Sequence, residues 1–214
     1  MSRRVVRLTL DRLEEARTPC GSCLFWELDP VRRARVPEDD ASHEKLTWLS
    51  TVLREWGSCG RAVLVDGVVR GYVVYAPAAY VPGAAGFATA PASPDAVLLT
   101  SAWVHPDDRG CGLGRMLVQG MARDLIGRGG IRAVEAFASA RGDAEHVLPQ
   151  GFLEAVGFRT HRPHPRVPRL RMDLRSALTW RDEVEAALER LVGVVRPTPA
   201  PAPAHRDPAA RTDA

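Results

Sequence analysis

The stretch Asp107–Leu117, DDRGCGLGRML, decides how the rest of the chain is interpreted. Three glycines alternate with Cys111 and Leu113, an arginine stands on each side of them, and an apolar run follows. Glycines let the backbone approach a ligand closely, because they have no Cβ atom. The first amides of a helix lack intrahelical acceptors and attract anions. The stretch is therefore either an anion-binding loop or a tight connection without a ligand.

Two apolar strands and a helix surround this loop. Val97–Val104 is an apolar run of strand length, and Arg115–Arg128 has its apolar residues on one side of a helix. Ile131–Ala138 is a second apolar run. A strand, a crossover helix and a strand in this order predict two parallel, buried strands, and therefore an α/β fold.

Two common nucleotide-binding motifs do not fit the glycines. A G-x-G-x-x-G motif that begins at Gly110 needs glycine at position 115, where this chain has Arg115. The phosphate-binding P-loop needs a lysine after its glycines, and none follows here. What remains is a strand–glycine–helix junction that suits a pyrophosphate, with added positive charge from Arg109 and Arg115.

Shorter elements precede this unit. Val5–Leu10 is predicted to be a strand, Asp11 to cap a first helix, and Ser42 to cap a second helix that ends at Gly57. Asp66-Gly67 joins two β-branched runs and predicts a hairpin. The segment 76–95, rich in Ala, Gly and Pro, is predicted to be a long loop that is either functional or a flexible insertion.

The end of the chain carries three further predictions. A short helix is predicted over Phe152–Val156, and the alternation of RLRMDL predicts a strand with Leu170, Met172 and Leu174 facing inwards. Thr179 is predicted to cap a last helix that Gly193 ends, and the Pro- and Ala-rich residues 194–214 are predicted to be a disordered tail. We therefore predict one domain over residues 1–193.

Composition narrows the class of protein. The 214 residues carry a net charge of +3, which is too small to favour nucleic acid as a partner. Lys45 is the single lysine among 29 basic residues. The N-terminus has no apolar signal-peptide core, and no apolar run reaches the ~18 residues that a membrane span needs, so we expect no membrane and a cytoplasmic protein with reduced cysteines.

The glycine segment and its flanks resemble the GNAT (GCN5-related) N-acetyltransferases. Residues 109–114, RGCGLG, resemble the R/Q-x-x-G-x-G/A motif with which that family binds acetyl-CoA. The preceding WVHPDDRG is similar to the family's V-x-P-x-x-R-G, and FLEAVGF is similar to its x-Y-x-x-x-G-F. The resemblance implies a GNAT-like mixed α/β sheet whose central parallel strands splay apart.

The resemblance also implies a co-substrate and a reaction. Acetyl-CoA would lie in the gap between the splayed strands, with its pantetheine arm on the backbone of Trp103 and Val104. The backbone over residues 109–115 would hold its pyrophosphate; these residues are Arg109, Gly110, Cys111, Gly112, Leu113, Gly114 and Arg115. A small-molecule or peptide amine would attack the thioester directly. Whether the protein forms a homodimer is a question that the sequence leaves open.

The tyrosine that acts as general acid in the family is replaced in this chain. Counting four residues back from Gly157 gives Leu153, where the family has a tyrosine that protonates the departing thiolate. Another group or solvent could protonate the thiolate, which can also leave without an acid. The substitution keeps a second hypothesis open, in which the chain binds or senses acyl-CoA without catalysis.

Three residues are candidates for the base that takes the proton of the amine. Glu135 lies among apolar residues of a predicted strand, where burying a carboxylate is costly. It is therefore either a catalytic base or a structural carboxylate paired with an arginine. Glu27 lies in FWELD, in the N-terminal region that lines the acceptor site in the family. His146 follows the second apolar strand and is otherwise an exposed loop histidine.

The cysteines and the late basic run allow several interpretations. Cys20 and Cys23 form a C-x-x-C pair that is a metal half-site, a redox pair or two plain thiols; because no second half-site follows, we predict no metal. The basic run 159–175 holds six arginines and two histidines. It is either a solvated face or an attractor of the CoA 3′-phosphate or an acidic acceptor.

Overall fold

A mixed sheet with helices on both faces forms the part of the chain that the computed structural model describes, residues 2–175. The helix predicted from Thr179 and the tail predicted from residue 194 lie outside the described residues. The strands are β1 (Arg3–Arg7), β2 (Gly60–Val65), β3 (Val68–Pro77), β4 (Ala96–Val104), β5 (Ala133–Ser139), β6 (Leu148–Pro149), β7 (Arg159–Arg162) and β8 (Arg169–Asp173). The helices are α1 (Leu10–Glu15), α2 (Pro30–Arg33), α3 (Ala41–Trp56), α4 (Leu113–Arg128) and α5 (Gln150–Ala155).

The sheet has the order β1-β2-β3-β4-β5-β8-β7, with β6 paired to the end of β5. All of these neighbours are antiparallel except β4–β5 and β5–β6. The predicted parallel pair and the mixed α/β fold are therefore confirmed. The predicted hairpin is confirmed too, because β2 and β3 meet at Asp66 (φ 50°) and Gly67 (φ 91°).

The parallel pairing of β4 with β5 is short. It joins Ala96–Leu98 to Ala133–Glu135 and then ends. Thr100 is an extra residue in β4, because Val74 pairs with Ser101 while Tyr75 pairs with Leu99. Such a bulge bends its strand. Beyond Leu98, β4 stays paired to β3, while β5 stays paired to β8. We call the space between the two diverging strands the β4–β5 gap.

The two faces of the sheet have separate hydrophobic cores. On one face α4 buries Leu117, Met121 and Leu125 against alternate residues of the central strands. On the other face α1, α3 and the segment around Trp26 pack on residues that include Tyr72 and Phe137. The β4–β5 gap therefore has α4 on one face of the sheet and α1, α3 and the Trp26 segment on the other.

Several local predictions are wrong. Neither Asp11 nor Ser42 caps a helix, because α1 begins at Leu10 and α3 at Ala41. The predicted loop 76–95 is correct for most of its length, because only its first two residues extend β3, two 3₁₀ turns follow, and residues 87–95 form no helix or strand; Val81 between the turns is only 1% exposed, so this part is packed and is not a loose insertion. Strands β6 and β7 were not predicted, because β6 has two residues and RTHR in β7 is polar and exposed throughout.

A buried ion network ties α4 to the rest of the fold. Asp124 accepts a hydrogen bond from Tyr75 Oη (2.6 Å) and pairs with Arg61 (2.5 Å) and Arg128 (3.4 Å). Arg128 also donates to the carbonyl of Trp56 at the end of α3. The carboxylate therefore holds β2, β3, α3 and α4 together.

Replacing Asp124 by alanine should lower the free energy of unfolding by about 3 kcal/mol, because Arg61 and Tyr75 lose a buried partner. Urea denaturation measures this loss, with Glu55→Ala as an exposed control that should change it by less than about 0.5 kcal/mol. A loss below about 1 kcal/mol for Asp124→Ala would contradict a central role for the network.

Candidate active site

The glycine loop forms the junction between β4 and α4 in a left-handed backbone conformation. Gly110 and Gly112 have φ angles of 77° and 82°, which residues with a Cβ rarely adopt. Gly112 precedes the first residue of α4, Leu113, whose side chain is buried in the core. The loop therefore offers its backbone to the outside, together with the first amides of a 16-residue helix.

Side chains from outside the loop hold it in place. Asp108 pairs with Arg70 of β3, and Arg70 also bonds His105 Nδ1 at 2.9 Å. Arg3 of β1 donates to the carbonyl of Cys111 at 3.0 Å. These anchors could not be predicted from the sequence near the loop, because Arg3 and Arg70 lie far from it in the chain.

The two arginines of the loop have different environments. Arg109 donates through Nε to the carbonyl of Val104 at 3.4 Å, so its side chain lies beside the end of β4. Arg115 is exposed on the first turn of α4 and donates to the carbonyl of Ala155 in α5 at 2.9 Å. Both add positive charge at the N-terminus of α4, where the helix dipole favours an anion.

The end of β4 lies along the β4–β5 gap. Trp103 and Val104 pair with Tyr72 and Gly71 of β3. The ladder with β5 ends at Leu98, so this stretch of β4 borders the gap with the edge that is turned away from β3. An extended ligand could add to that edge as a further strand does.

Glu135 lies in a cluster of arginines at the base of the gap. Its fully buried carboxylate is 3.1 Å from Arg169 Nε and 3.4 Å from Arg171 NH1, and it accepts a bond from the amide of Ser93 at 3.1 Å. His161 Nε2 is 3.8 Å away. Arg169 and Arg171 thus contact the buried carboxylate of Glu135. We had expected the basic run 159–175, to which both belong, at the surface or at a phosphate.

A polar cluster lies on the sheet face opposite α4. We call it the gap-face cluster; its members are Thr18, Cys20, Cys23, Glu27, Lys45, Tyr72 and His146. Lys45 is only 2% exposed, pairs with Glu27 and donates to the carbonyl of Cys23 at 3.0 Å. Thr18 Oγ1 and Tyr72 Oη are 2.6 Å apart. The cluster thus brings together two of the three candidate bases, Glu27 and His146, while Glu135 belongs to the arginine cluster.

Glu27 has one satisfied and one unsatisfied oxygen. Oε1 contacts Lys45, whereas Oε2 is buried and has no hydrogen-bond partner within residues 2–175. A buried carboxylate oxygen without a partner is costly. This oxygen is therefore an acceptor for which an ammonium or a water molecule would be a suitable partner.

His146 contacts the thiol of Cys23. Its Nδ1 is 3.4 Å from Cys23 Sγ, and its Nε2 is 3.8 Å from a carboxylate oxygen of Glu145. The imidazole stacks on Phe25 with ring centroids 4.5 Å apart, and its backbone carbonyl accepts a bond from Trp26 Nε1 at 2.9 Å. The histidine is therefore held in position although its side chain is 41% exposed.

Sequence analysis missed the two members of the cluster that lie on regular elements. Lys45 is on α3 and Tyr72 on β3, and both are buried on the face of the sheet that packs against α1 and α3. Burial raises the pKa of the Tyr72 hydroxyl above its usual range. Burial and the neighbouring Cys23 also raise the pKa of Cys20. Lys45 stands out in the sequence as the single lysine, but composition does not show where in the fold it lies.

Two structural findings bear on the other predictions. Among residues 2–175, no group of three or more His, Cys, Asp or Glu side chains is arranged to hold a metal ion. No described helix is long and apolar enough to span a membrane.

Comparison with known proteins identifies the family. The family described as "Acetyltransferase (GNAT) family" matches residues 13–158, which is more than half of the chain. The chain therefore belongs to the GNAT acetyltransferase family. No curated protein matches it.

Solved structures of low sequence identity share the fold. The aminoglycoside acetyltransferase AAC(6′)-Ib, solved with coenzyme A, is 16% identical with a TM-score of 0.54, over 83% of this chain and 98% of that one. The PaiA N-acetyltransferase of Thermoplasma acidophilum, also with coenzyme A, is 12% identical with a TM-score of 0.51, over 81% and 99%. A GNAT-like decarboxylase, GphF, with isobutyryl-CoA is 17% identical with a TM-score of 0.50, over 80% and 99%.

The Glu27–Lys45 pair gives a prediction about stability. Lys45→Met should destabilise the fold by about 3 kcal/mol, because it leaves the Glu27 carboxylate buried and uncompensated. The double variant Glu27→Leu with Lys45→Met should recover most of that loss, because an apolar pair of similar volume has no charge to desolvate. Thermal and urea unfolding of the four members of this cycle measure the coupling. If Lys45→Met and the double variant lost the same free energy of unfolding, the uncompensated charge of Glu27 would not be the cause of the destabilisation.

Proposed function

We propose that this protein transfers an acetyl group from acetyl-CoA to an amine. The observation that carries the proposal is the β4–β5 gap, which opens beside the glycine loop and has a polar cluster on the sheet face opposite α4. Membership of the GNAT family and the acyl-CoA chemistry of that family support the same function.

Acetyl-CoA fits the groups that line the gap. A Cβ atom built on Gly110 or Gly112 meets no atom within 4 Å, so both glycines border open space. The amides of residues 112–115 would bind the pyrophosphate, with Arg109 and Arg115 adding charge. The backbone of Trp103 and Val104 would hold the pantetheine arm, which brings the thioester towards the base of the gap.

The amine must lose a proton before it attacks. A free primary amine has a pKa near 10 and is mostly protonated at neutral pH. Of the three candidate bases, His146 has the best access to solvent, because the side chains of Glu27 and Glu135 are fully buried in ion pairs. We assign His146 the role of proton acceptor, the free oxygen of Glu27 a role in binding the ammonium, and Glu135 a structural role.

A second candidate function is binding of acyl-CoA without transfer. The observation in its favour is Leu153, which replaces the family's tyrosine and is fully buried in the core beneath α4. No hydroxyl is therefore available at that position. The two functions share the bound ligand and differ in turnover.

Binding of acetyl-CoA depends in this proposal on the open backbone at Gly112. Gly112→Trp should weaken binding at least tenfold, about 1.4 kcal/mol, because the indole fills space meant for the ligand. Gly67→Trp is a matched control, since Gly67 also has positive φ and no neighbour within 4 Å. Gly114 is less suitable, because its Cβ would lie 2.8 Å from Phe152 Cε2. Isothermal titration calorimetry measures the affinity of both variants for acetyl-CoA. An unchanged affinity in Gly112→Trp would contradict the proposed binding site.

Turnover is tested by the release of free thiol from acetyl-CoA in the presence of a panel of amines. The panel holds simple primary amines, aminoglycosides and peptides with a free N-terminus. Catalysis predicts at least one amine for which thiol release is faster than with acetyl-CoA alone and yields an N-acetyl product by mass spectrometry. Tight binding of acetyl-CoA without release on any of these amines would favour the second function.

A further inference from the structure

We infer that Cys20 and Cys23 are a modification site, at which exchange with a small disulfide such as oxidised glutathione forms a reversible disulfide bridge. Cys23 is the attacking thiol and His146 is its base. The inference goes beyond acetyl transfer and does not depend on it. It gives a chemical role to the C-x-x-C motif, for which the sequence left a metal half-site, a redox pair and two plain thiols open.

The backbone between the two cysteines forms a tight turn. Gly21 ends the 3₁₀ turn Pro19–Gly21, and Ser22 follows with φ −111° and ψ −4°. These are the conformations of the two central residues of a type I turn, whose first and fourth Cα atoms lie within about 7 Å of each other. Disulfides join Cα atoms that are about 4.4–6.8 Å apart. A bridge therefore requires only a small movement of the turn.

Both thiols are free and partly accessible. Cys20 and Cys23 are half-buried, so that a small disulfide can reach them. They also lie near each other, because the charge of Cys23 adds to burial, the larger cause, in raising the pKa of Cys20. Cys59 differs from both, since it is fully buried and burial raises its pKa to about 12. The fold therefore exposes a pair of thiols and protects a third.

His146 makes Cys23 the first of the pair to react. The thiolate is the form that attacks a disulfide, so a base within reach of the thiol promotes the exchange. Nδ1 of His146 is 3.4 Å from Cys23 Sγ, and stacking on Phe25 holds the ring in position. Cys20 instead contacts the hydroxyl of Tyr72, whose pKa burial raises above its usual range, so that this group stays a donor.

The exchange takes two steps, in which atoms and electrons balance. In the first, Nδ1 of His146 takes the thiol proton of Cys23, Sγ bonds to one sulfur of oxidised glutathione, and the sulfur–sulfur bond of glutathione breaks. One glutathione leaves and takes up that proton. In the second, Cys20 Sγ bonds to Cys23 Sγ, and the second glutathione leaves with the proton of Cys20. Two protein thiols are oxidised, and one glutathione disulfide is reduced to two thiols.

The first step prepares Cys20 for the second. Once Cys23 is bonded to glutathione it carries no negative charge, which removes one of the causes that raise the pKa of Cys20. The charge of Lys45 and the hydrogen bond from Tyr72 still lower that pKa, although burial, the largest cause, still raises it. Cys20 is therefore a better nucleophile towards the mixed disulfide on Cys23 than towards the free reagent.

The test is to oxidise the folded, full-length protein with oxidised glutathione at neutral pH, alkylate the remaining thiols and analyse tryptic peptides by mass spectrometry. Arg17 and Arg32 place both cysteines in one peptide, 18–32. We expect this peptide without alkylation and lighter by two hydrogen atoms, and dithiothreitol should reverse the change. Cys111, which is exposed, should carry glutathione at most, and Cys59 should stay a thiol, which also shows that the protein remained folded.

Two variants of matched size distinguish the attacking thiol from its partner. Cys20→Ser should keep glutathione on Cys23, because no second thiol displaces it. Cys23→Ser should leave Cys20 a thiol. In the Cys20→Ser protein, a further His146→Gln change should slow the modification of Cys23 by at least about tenfold, because the thiol loses its base. The rate at Cys111 in the same molecules should stay the same.

Thermal unfolding midpoints show that each variant is folded. Separate glutathione on Cys20 and Cys23 without a bridge, or a peptide 18–32 that stays reduced while Cys111 reacts, overturns the inference. Glutathione that accumulates on Cys20 in Cys23→Ser, or an unchanged rate in His146→Gln, overturns the assignment of Cys23 and His146 as thiol and base. None of these outcomes bears on acetyl transfer, which the release of thiol in the presence of amines tests separately.

Discussion

Most features of the candidate site depend on the early end of one strand pairing. After three residue pairs, β4 and β5 separate, because β4 is held by β3 through a bulge at Thr100 while β5 is held by β8. The backbone of β4 beyond that point borders an open gap. Buried backbone groups need partners. An extended ligand can supply them, which is why we propose this edge of β4 for the pantetheine arm.

The sequence predicted this part of the molecule well, because its signals are local. Apolar runs on each side of a glycine-rich junction predict the parallel pair, and glycines at positions of positive φ predict the loop. Element ends were less predictable. The real starts of α1 and α3 have no side-chain cap, so the Ser and Asp residues nearby were misleading. Strand β7 has only exposed polar residues and gives no periodic signal.

The polar clusters were less predictable, because distant segments form them. Lys45 comes from the middle of a helix that looks amphipathic, Tyr72 from a strand and His146 from a loop, and only the tertiary fold brings them near Cys23. The same holds for Glu135, whose partners Arg169 and Arg171 belong to a basic run that resembles a solvated surface. Glu135 can be recognised from the sequence as a buried charge because it lies in an apolar run, whereas its partners cannot, and neither can Lys45.

The fold alone does not determine the reaction. A GNAT-like decarboxylase shares this architecture, as do the N-acetyltransferases. In this chain we propose that the gap-face cluster makes the difference, because it holds a thiol, an imidazole and an unsatisfied carboxylate oxygen. The most direct test is a crystal structure with a thioether analogue of acetyl-CoA. The account predicts its pyrophosphate on the amides of residues 112–115 and its acetyl carbonyl in the β4–β5 gap, on the side of the gap-face cluster. An analogue bound outside the gap, or with its acetyl end turned towards α4, would contradict it.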